Sequence, residues 1–468
     1  MTSRRDFLRC VVGGTAALAL PRTLFSQTKG AKTPNIILCM ADDMGWGDPG
    51  FNGNSIIKTP NLDAMAKAGM LFRRFYSGAP VCSPTRGSCL TGRHPYRYGI
   101  FFANTGHMPK KEFTLAEALK TQGYATGHFG KWHLGTLTTK EKDSNRGGPR
   151  SVEHYSPPWE NGFDVCFSTE AKVPTWNPMK EPETDEPYGT SYWKQDGSKE
   201  TENLDGDDSR VIMDRAVPFI RDAAGKGRPF FAVIWFHAPH LPVVAGPEYR
   251  KMYAQYSEDE QHYYACITAL DEQVGKLRSE LRELGISDNT TLWFCSDNGP
   301  EGKDNKQGRT RGSAGPFRGR KRSLFEGGVR VPGLLEWPAR VKAGRVTDIP
   351  CSTCDYFPTI LDMLGFKMTG QPEPIDGVSL LPLIESKMTE RPKPIGFESN
   401  SQLSLTDNRY KIYSSDSGKT YMLFDLLADP GENSDLAAEK PQILESMKAT
   451  LIKWRKSCKD SLDAKDYK

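Results

Sequence analysis

The sequence predicts an α/β protein. Its core is a mostly parallel, doubly wound central sheet flanked by helices, followed by a smaller C-terminal α+β subdomain containing a short antiparallel sheet. Three observations carry this expectation. Continuous apolar runs recur along the first two thirds of the chain, and each ends abruptly in polar residues. Segments with helical periodicity separate them. Beyond about residue 365 the pattern changes to short alternating strands and one amphipathic helix.

The first run, Asn35 to Met40, ends in Ala41-Asp42-Asp43. Tyr124 to His128 leads into Gly130-Lys131-Trp132-His133. Pro229 to Phe236 ends in His237-Ala238-Pro239-His240, and Thr290 to Cys295 ends in Ser296-Asp297-Asn298-Gly299. Unbroken apolar runs of this length read as strands covered on both faces. Helical patterns lie between them at Asn61–Ala68, Thr114–Gln122, Ser209–Ala224 and Glu258–Leu284. Strand-helix alternation argues for a parallel sheet. In such sheets the functional site lies beyond the carboxyl ends of the strands. Each polar cluster above sits at one of those ends, which is the main reason to expect that they share a site. Residues 136–208, rich in Pro, Gly, Ser and Trp, read as long loops over the site, and residues 299–322 as a Gly/Lys/Arg-rich loop. Near the C-terminus, Asn408–Tyr413 and Tyr421–Leu426 read as short antiparallel strands, and Pro441–Ser457 as a helix.

The 468 residues suffice for one large domain and a smaller one. A net charge of +4 gives no reason to expect nucleic-acid binding. Ser3-Arg4-Arg5-Asp6-Phe7-Leu8-Arg9 resembles a twin-arginine export signal. The apolar stretch after it, Val11 to Leu20, is too short to span a bilayer. Residues 1–27 are therefore expected to be an export signal read by the twin-arginine translocase, which places the mature protein in the periplasm or outside a bacterial cell. Cys39 and Cys295 lie within apolar runs and are expected to be buried thiols. Cys351-Ser352-Thr353-Cys354 has metal or redox spacing without a second pair, and is expected to be structural, as a disulfide in an oxidising compartment.

The polar clusters have a common chemistry. Asp42, Asp43, Asp297 and Asn298 at adjacent strand ends form a set of hard oxygen donors suited to Ca²⁺ or Mg²⁺. Lys131 and His133 stand two residues apart, which puts an ammonium and an imidazole on one side of an extended segment. With Arg86 and Lys321 they suit a tetrahedral oxyanion. His237 reads as a hydrogen-bonded structural histidine. Cys82 precedes Pro84 and is expected near a helix N-terminus, where free amides and the helix dipole favour a negative oxygen. Arg318, Arg320, Lys321 and Arg322 form a basic run beside this site. Arg97, Asn104 and His107 are placed to face its entrance.

Val81-Cys82-Ser83-Pro84-Thr85-Arg86, continued by Leu90-Thr91-Gly92-Arg93, resembles the signature of type I sulfatases of the alkaline phosphatase superfamily. The opening Asp42–Asp48 and Thr59-Pro60-Asn61-Leu62-Asp63 look most like the arylsulfatase A and N-acetylgalactosamine-6-sulfatase group. The resemblance implies a catalytic domain over residues 33–365 and a C-terminal subdomain over 366–468. It implies conversion of Cys82 to formylglycine by a formylglycine-generating enzyme, with the hydrated aldehyde as nucleophile and metal ligand. Asp42, Asp43, Asp297 and Asn298 would then hold one Ca²⁺. Arg86 would orient the hydrate, and His133 would take the proton that releases sulfate. Lys131, His240 and Lys321 would hold the sulfate, with His240 or Lys321 assisting the leaving oxygen. The implied substrate is a sulfate ester, of sulfated carbohydrate or a smaller alcohol. Two alternatives stay open at this stage: a phosphonate or phosphodiester hydrolase of the same superfamily, and a carbohydrate-binding pseudoenzyme with unconverted cysteine.

Overall fold

A computed structural model describes residues 33–303, 307–368 and 370–467. The expected export signal lies outside the described residues. Four parallel strands form the centre of a nine-stranded sheet: β1 (Asn35–Ala41), β2 (Ala125–Lys131), β3 (Phe230–Trp235) and β4 (Thr290–Ser296). They lie side by side in the order β4-β1-β3-β2. Beyond β2 come Val165–Thr169, parallel, and then Trp193–Lys194, antiparallel. Beyond β4 come Gly333–Glu336, antiparallel, then Met70–Phe72 and Arg345–Thr347.

Strand geometry explains why the runs are apolar throughout. Successive side chains point to opposite faces, and both faces of β1 are covered. Ile36, Leu38 and Met40 enter one core layer with Cys89, Leu90, Leu119 and Ile360. Ile37, Cys39 and Ala41 enter the other with Leu62, Ile212, Ile267 and Leu270. Helices α1 (Pro60–Ala68), α3 (Asp208–Gly225) and α4 (Glu258–Glu283) supply that second layer. Helix α2 (Cys82–Thr91) lies in the first. Asp207 caps α3 by accepting from the Arg210 amide, and Ser257 with Glu260 forms a capping box on α4.

Residues Pro34–Lys468 make one compact unit. Its C-terminal part holds the antiparallel sheet Ile395–Ser399, Gln402–Thr406, Tyr410–Ser414 and Met422–Asp425, with helix α5 (Pro441–Leu462) against it. Arg97 ties α5 to the rest. Its guanidinium donates to both oxygens of Asp376 and to the hydroxyls of Ser457 and Ser461.

Three expectations need correction. Residues 136–208 are not loop alone, since Val165–Thr169 and Trp193–Lys194 extend the sheet. At 5 and 2 residues they are too short to stand out as apolar runs. Cys351 and Cys354 are free, as are all the described cysteines. Cys351 donates to the Ile349 carbonyl within the first core layer, whereas Cys354 lines a separate cavity beside α5. Arg97 and His107 do not face the site entrance: Arg97 is buried in its clamp, and His107 meets His154.

Candidate active site

The register of β1 against β4 sets Ala41 opposite Ser296. Asp42 and Asp43 therefore leave the sheet beside Asp297 and Asn298. The Asp297 amide donates to the Ala41 carbonyl at 3.1 Å, and the Asp43 amide to Asp297 Oδ1 at 3.1 Å. Asp43 adopts a left-handed φ of 67°, a region that Asp enters more readily than most residues. Two strands away, β2 ends at Lys131. The residue before it, Gly130, has φ 102°, and a Cβ there would lie 1.9 Å from the Trp235 carbonyl oxygen on β3. Only glycine permits that approach, and it sets the direction in which Lys131 and His133 leave the strand.

Cys82 is the first residue of α2, after Val81 in extended conformation. Pro84 occupies the first turn, where no amide partner is needed. The Thr85 hydroxyl bonds the Ala79 and Val81 carbonyls and fastens the helix start. Arg86, one turn on, is fully buried. It donates to Asp297 Oδ2 at 2.6 Å and to the Lys131 carbonyl at 3.0 Å, stands 3.3 Å from Asp42 Oδ2, and lies over the Trp235 ring.

A cavity of about 240 Å³ opens onto this cluster. Its lining includes Cys82, Lys131, His133, His240 and Lys321, together with Asn104, Asn145, Lys172 and Arg322. Larger cavities exist, of about 830 Å³ between α3 and α4 and about 400 Å³ beside α5, but neither is lined by Cys82 or by these strand-end residues. Convergent charge around Cys82 marks this cavity as the candidate site.

The charges are paired closely. Lys131 Nζ is 2.6 Å from Asp42, and Lys321 Nζ is 2.6 Å from Asp43. Burial opposes ionisation of Asp42, but Lys131, His240, Arg86 and Lys321 outweigh it and hold the carboxyl well below its usual range. Asp297 moves the other way, raised by burial and by the charge of Asp42. Burial also pushes the Cys82 thiol up against the pull of Lys131 and Lys321. A thiol is a poor nucleophile compared with its thiolate, so the unmodified side chain is weakly reactive here. Burial, followed by the charges of Lys131 and Arg86, holds His133 well below the usual imidazole value, so the ring is neutral. His240 is lowered to about 4, mainly by burial.

The donor set fits a hard divalent cation. Oxygen and nitrogen atoms of Asp42, Asp43 and His240 lie within 4.8 Å of one another. Asp42 Oδ1 and Asn298 Oδ1 are buried and make no hydrogen bond. Asn298 commits its amide nitrogen to Asp43 Oδ1 and the Gly299 carbonyl, which leaves its oxygen free as a donor to a metal. Carboxylate and amide oxygens select Ca²⁺ or Mg²⁺ over softer metals. The three carboxylates are not neutralised by a metal alone, however, because Arg86, Lys131 and Lys321 already pair with them.

The family model described as Sulfatase matches residues 34–366. The chain belongs to the sulfatase family. A second model, described as N-sulphoglucosamine sulphohydrolase, C-terminal, matches residues 315–457 of this sulfatase. The enzyme is 34% identical over 411 residues to N-acetylgalactosamine-6-sulfatase of Mus musculus, covering 81% of this chain and 72% of the relative. It is 34% identical over 389 residues to arylsulfatase G of Mus musculus, covering 77% and 71%. Among solved structures, Ps i-CgsB in complex with k-i-k-neocarrahexaose superposes with TM-score 0.77 at 28% identity, covering 90% of this chain and 93% of the other. The sulfatase is accordingly a sulfuric ester hydrolase, and its large mixed sheet with a small antiparallel sheet is the fold of its relatives.

In this sulfatase, Asp42, Asp43, Cys82, Arg86, Lys131, His133, His240, Asp297, Asn298 and Lys321 come together around one cavity. His237 lies outside it, bonded to Thr169 and Asp208. The basic run does not face the cavity as a run. Arg320 is buried and donates to the Glu301 and Gly312 carbonyls, and Arg318 lies over the Phe325 ring. Arg322 reaches the lining, held by both oxygens of Glu301. The run was expected to lie beside the site as a whole, but the chain turns within it, with positive φ at Gly319 and Arg322. Asn104 Oδ1 meets His133 Nε2 at 2.8 Å and accepts from Asn145 Nδ2 at 3.0 Å. Asn145 and Lys172 are the polar lining residues that the sequence did not point to. Lys172 follows the carboxyl end of Val165–Thr169, and recognising that strand would have pointed to it.

Proposed function

We propose that this protein is an exported sulfatase that hydrolyses sulfate esters of carbohydrate, using formylglycine generated at Cys82. The observation that carries this reading is Cys82 at the start of α2, inside a cavity whose walls are Lys131, His133, His240 and Lys321. The hydrated aldehyde would supply a nucleophilic hydroxyl that the buried thiol does not. Asp42, Asp43, Asp297 and Asn298 would hold Ca²⁺, which when bound adds positive charge beside that hydroxyl.

The protein's own groups account for the remaining roles. Arg86, pinned between Asp297, Asp42 and the Lys131 carbonyl, fixes the first turn of α2 against the strand ends. Lys131 and Lys321, ion-paired with Asp42 and Asp43, can each donate to sulfate oxygens. His133 is neutral, with Nε2 against Asn104 and Nδ1 buried without a partner. With Nε2–H donated to Asn104, the Nδ1 lone pair is available to accept a proton. His240 donates Nδ1–H to the Leu241 carbonyl at 2.6 Å, so as a neutral ring it offers only a lone pair at Nε2. Donation to the leaving oxygen therefore falls first to Lys321. The cavity is polar and charged, as a sulfated sugar requires. Two relatives point the same way: one is named for a sulfated amino sugar and one is complexed with a carrageenan oligosaccharide.

The test is the Cys82→Ala variant, assayed by release of inorganic sulfate from a small aryl sulfate and from sulfated oligosaccharides. Loss of a covalent nucleophile should cost several orders of magnitude in kcat with the fold intact. Mass spectrometry of the wild-type peptide should show the aldehyde in place of the thiol. Retained activity in the variant would reject the assignment. Faster turnover of a phosphate diester than of any sulfate ester would place the enzyme among phosphoester hydrolases instead. Cell fractionation, with and without Arg4→Lys/Arg5→Lys, tests export.

A further inference from the structure

A second cavity, of about 320 Å³, adjoins the first. It shares Asn145 and Lys172 with the sulfate pocket, and its own walls add Lys142, Glu181, Tyr188 and Thr190. Asn145 and Lys172 are thus walls common to the two cavities. Lys172 is half-buried, and among the described residues its ammonium makes no hydrogen bond or ion pair. Burial and the nearby charges of Lys131 and Lys321 lower its pKa, with Glu181 opposing. A cation held close to two others without a carboxylate in contact is poorly stabilised by the protein itself. An incoming anion would correct that.

The rest of the second cavity is suited to a polyhydroxylated ring. Glu181 can accept from hydroxyls. Asn145, Thr190 and Tyr188 can donate and accept, and Tyr188 offers a flat apolar face. Lys142, exposed at the rim, adds a second positive charge. No phosphate-sized cradle of backbone amides is needed to explain this mixture, and no long apolar wall suits a lipid tail.

We propose that this second cavity is a sugar subsite: it takes the saccharide unit adjoining the one whose sulfate is cleaved, and Lys172 pairs with a sulfate or carboxylate group on that unit. The inference rests on the carbohydrate-sulfate reading above and extends it to a substrate of at least two units. It also replaces the basic run at Arg318–Arg322 as the source of polyanion recognition, since Arg320 is buried, Arg318 lies over the Phe325 ring and Arg322 is paired with Glu301.

The experiment compares the holoenzyme with Lys172→Gln and, separately, Lys142→Ser. Substrates are 4-nitrophenyl sulfate, N-acetylgalactosamine 6-sulfate, and size-fractionated carrageenan and chondroitin sulfate oligosaccharides. The wild type should prefer oligosaccharides to the monosaccharide. A hydrogen bond to a charged group is worth roughly 1.5–3 kcal/mol. Lys172→Gln should therefore lower kcat/KM for oligosaccharides at least about tenfold more than for the aryl sulfate, mostly through KM. Lys142→Ser should change the same ratio in the same direction by less. Oligosaccharides with a neutral adjoining unit should lose the Lys172 dependence, and comparing a sulfated with a uronic-acid neighbour identifies which anion is preferred. Salt should weaken oligosaccharide turnover more steeply in the wild type than in Lys172→Gln. Equal losses on aryl sulfate and oligosaccharide would overturn the proposal and assign Lys172 to the sulfate pocket. Wild-type activity on the aryl sulfate with no preference for oligosaccharides would overturn it too. Absence of activity on every sulfate ester would instead bring down the underlying reading.

Discussion

Replacing Asn104 with alanine probes the proton-transfer role proposed for His133 without touching His133 itself. The contact between Asn104 Oδ1 and His133 Nε2 is 2.8 Å long, and the imidazole is buried. No other partner of Nε2 is present among the described residues. The bond selects the tautomer with the proton on Nε2, leaving Nδ1 as the acceptor. Removing it leaves a buried N–H unsatisfied, at a cost of about 1–3 kcal/mol. If that cost falls on the transition state, kcat drops about 5- to 150-fold. KM should change little, because Asn104 is bonded to His133 and Asn145 and not to Lys131 or Lys321. The assay is steady-state release of 4-nitrophenol from its sulfate ester, with thermal melting as a check on folding. Asn104→Asp separates positioning from mere packing. A carboxylate at 2.8 Å would stabilise the imidazolium and raise the His133 pKa from its depressed value. The group must be neutral to accept a proton, so the acid limb of the pH–rate profile should move to higher pH. A kcat in Asn104→Ala within about twofold of wild type, or an unmoved acid limb in Asn104→Asp, would refute the reasoning.

Two further predictions concern metal and stability. Chelation by EGTA should abolish activity and lower the melting temperature, with calcium restoring both. Binding to the native state alone contributes about 4 kcal/mol at a thousandfold excess over Kd, and elemental analysis of active enzyme showing neither calcium nor magnesium would reject the site. Arg97→Ala should remove about 1.5–3 kcal/mol of stability, because it takes the charged partner from the part-buried Asp376 carboxylate and leaves it only the His94 amide and the Trp454 indole as donors. Limited proteolysis should then cut first around α5, while activity per folded molecule persists. The same pair predicts acid sensitivity. Burial opposes the charge of Asp376, but the Arg97 bonds outweigh it and hold the carboxyl below its unfolded value. Its contribution is thus present above the unfolded carboxylate pKa and lost as pH falls toward the folded one. A melting curve of Arg97→Ala with the acid slope of wild type would contradict this.

Much of the site was legible because chemistry and strand ends coincide in the sequence. Asp42-Asp43, Lys131, His240 and Asp297-Asn298 each follow an apolar run, and parallel strands deliver their carboxyl ends to one edge. The alternate burial of β1 on two helix layers made that run apolar at every position, so the strand was readable without any partner. Cys82 was readable from its local string, since Pro84 and the Thr85 hydroxyl act within one helical turn. The strands Met70–Phe72, Val165–Thr169 and Arg345–Thr347 were not readable. They are short, lie toward the sheet edges, and owe their pairing to neighbours distant in sequence.

Tertiary packing alone decided which cations reach the cleft. Arg318, Arg320, Lys321 and Arg322 are equivalent as a charge run. The turn at Gly319 sends Arg320 to the Glu301 and Gly312 carbonyls, while Lys321 reaches Asp43, a residue far away in the chain. Arg97 likewise looked like an entrance residue until Asp376 and the two serines of α5 claimed it. Lys172 gave no local signal, because its meaning comes from a strand end and from charges supplied by β2 and the Lys321 loop. A sequence determines the chemistry a side chain can perform and the period of the element that carries it. The partner that neutralises its charge is set by which distant segments the fold brings within a few ångströms, and here that choice separates the residues that hold the protein together from those that line the cavity.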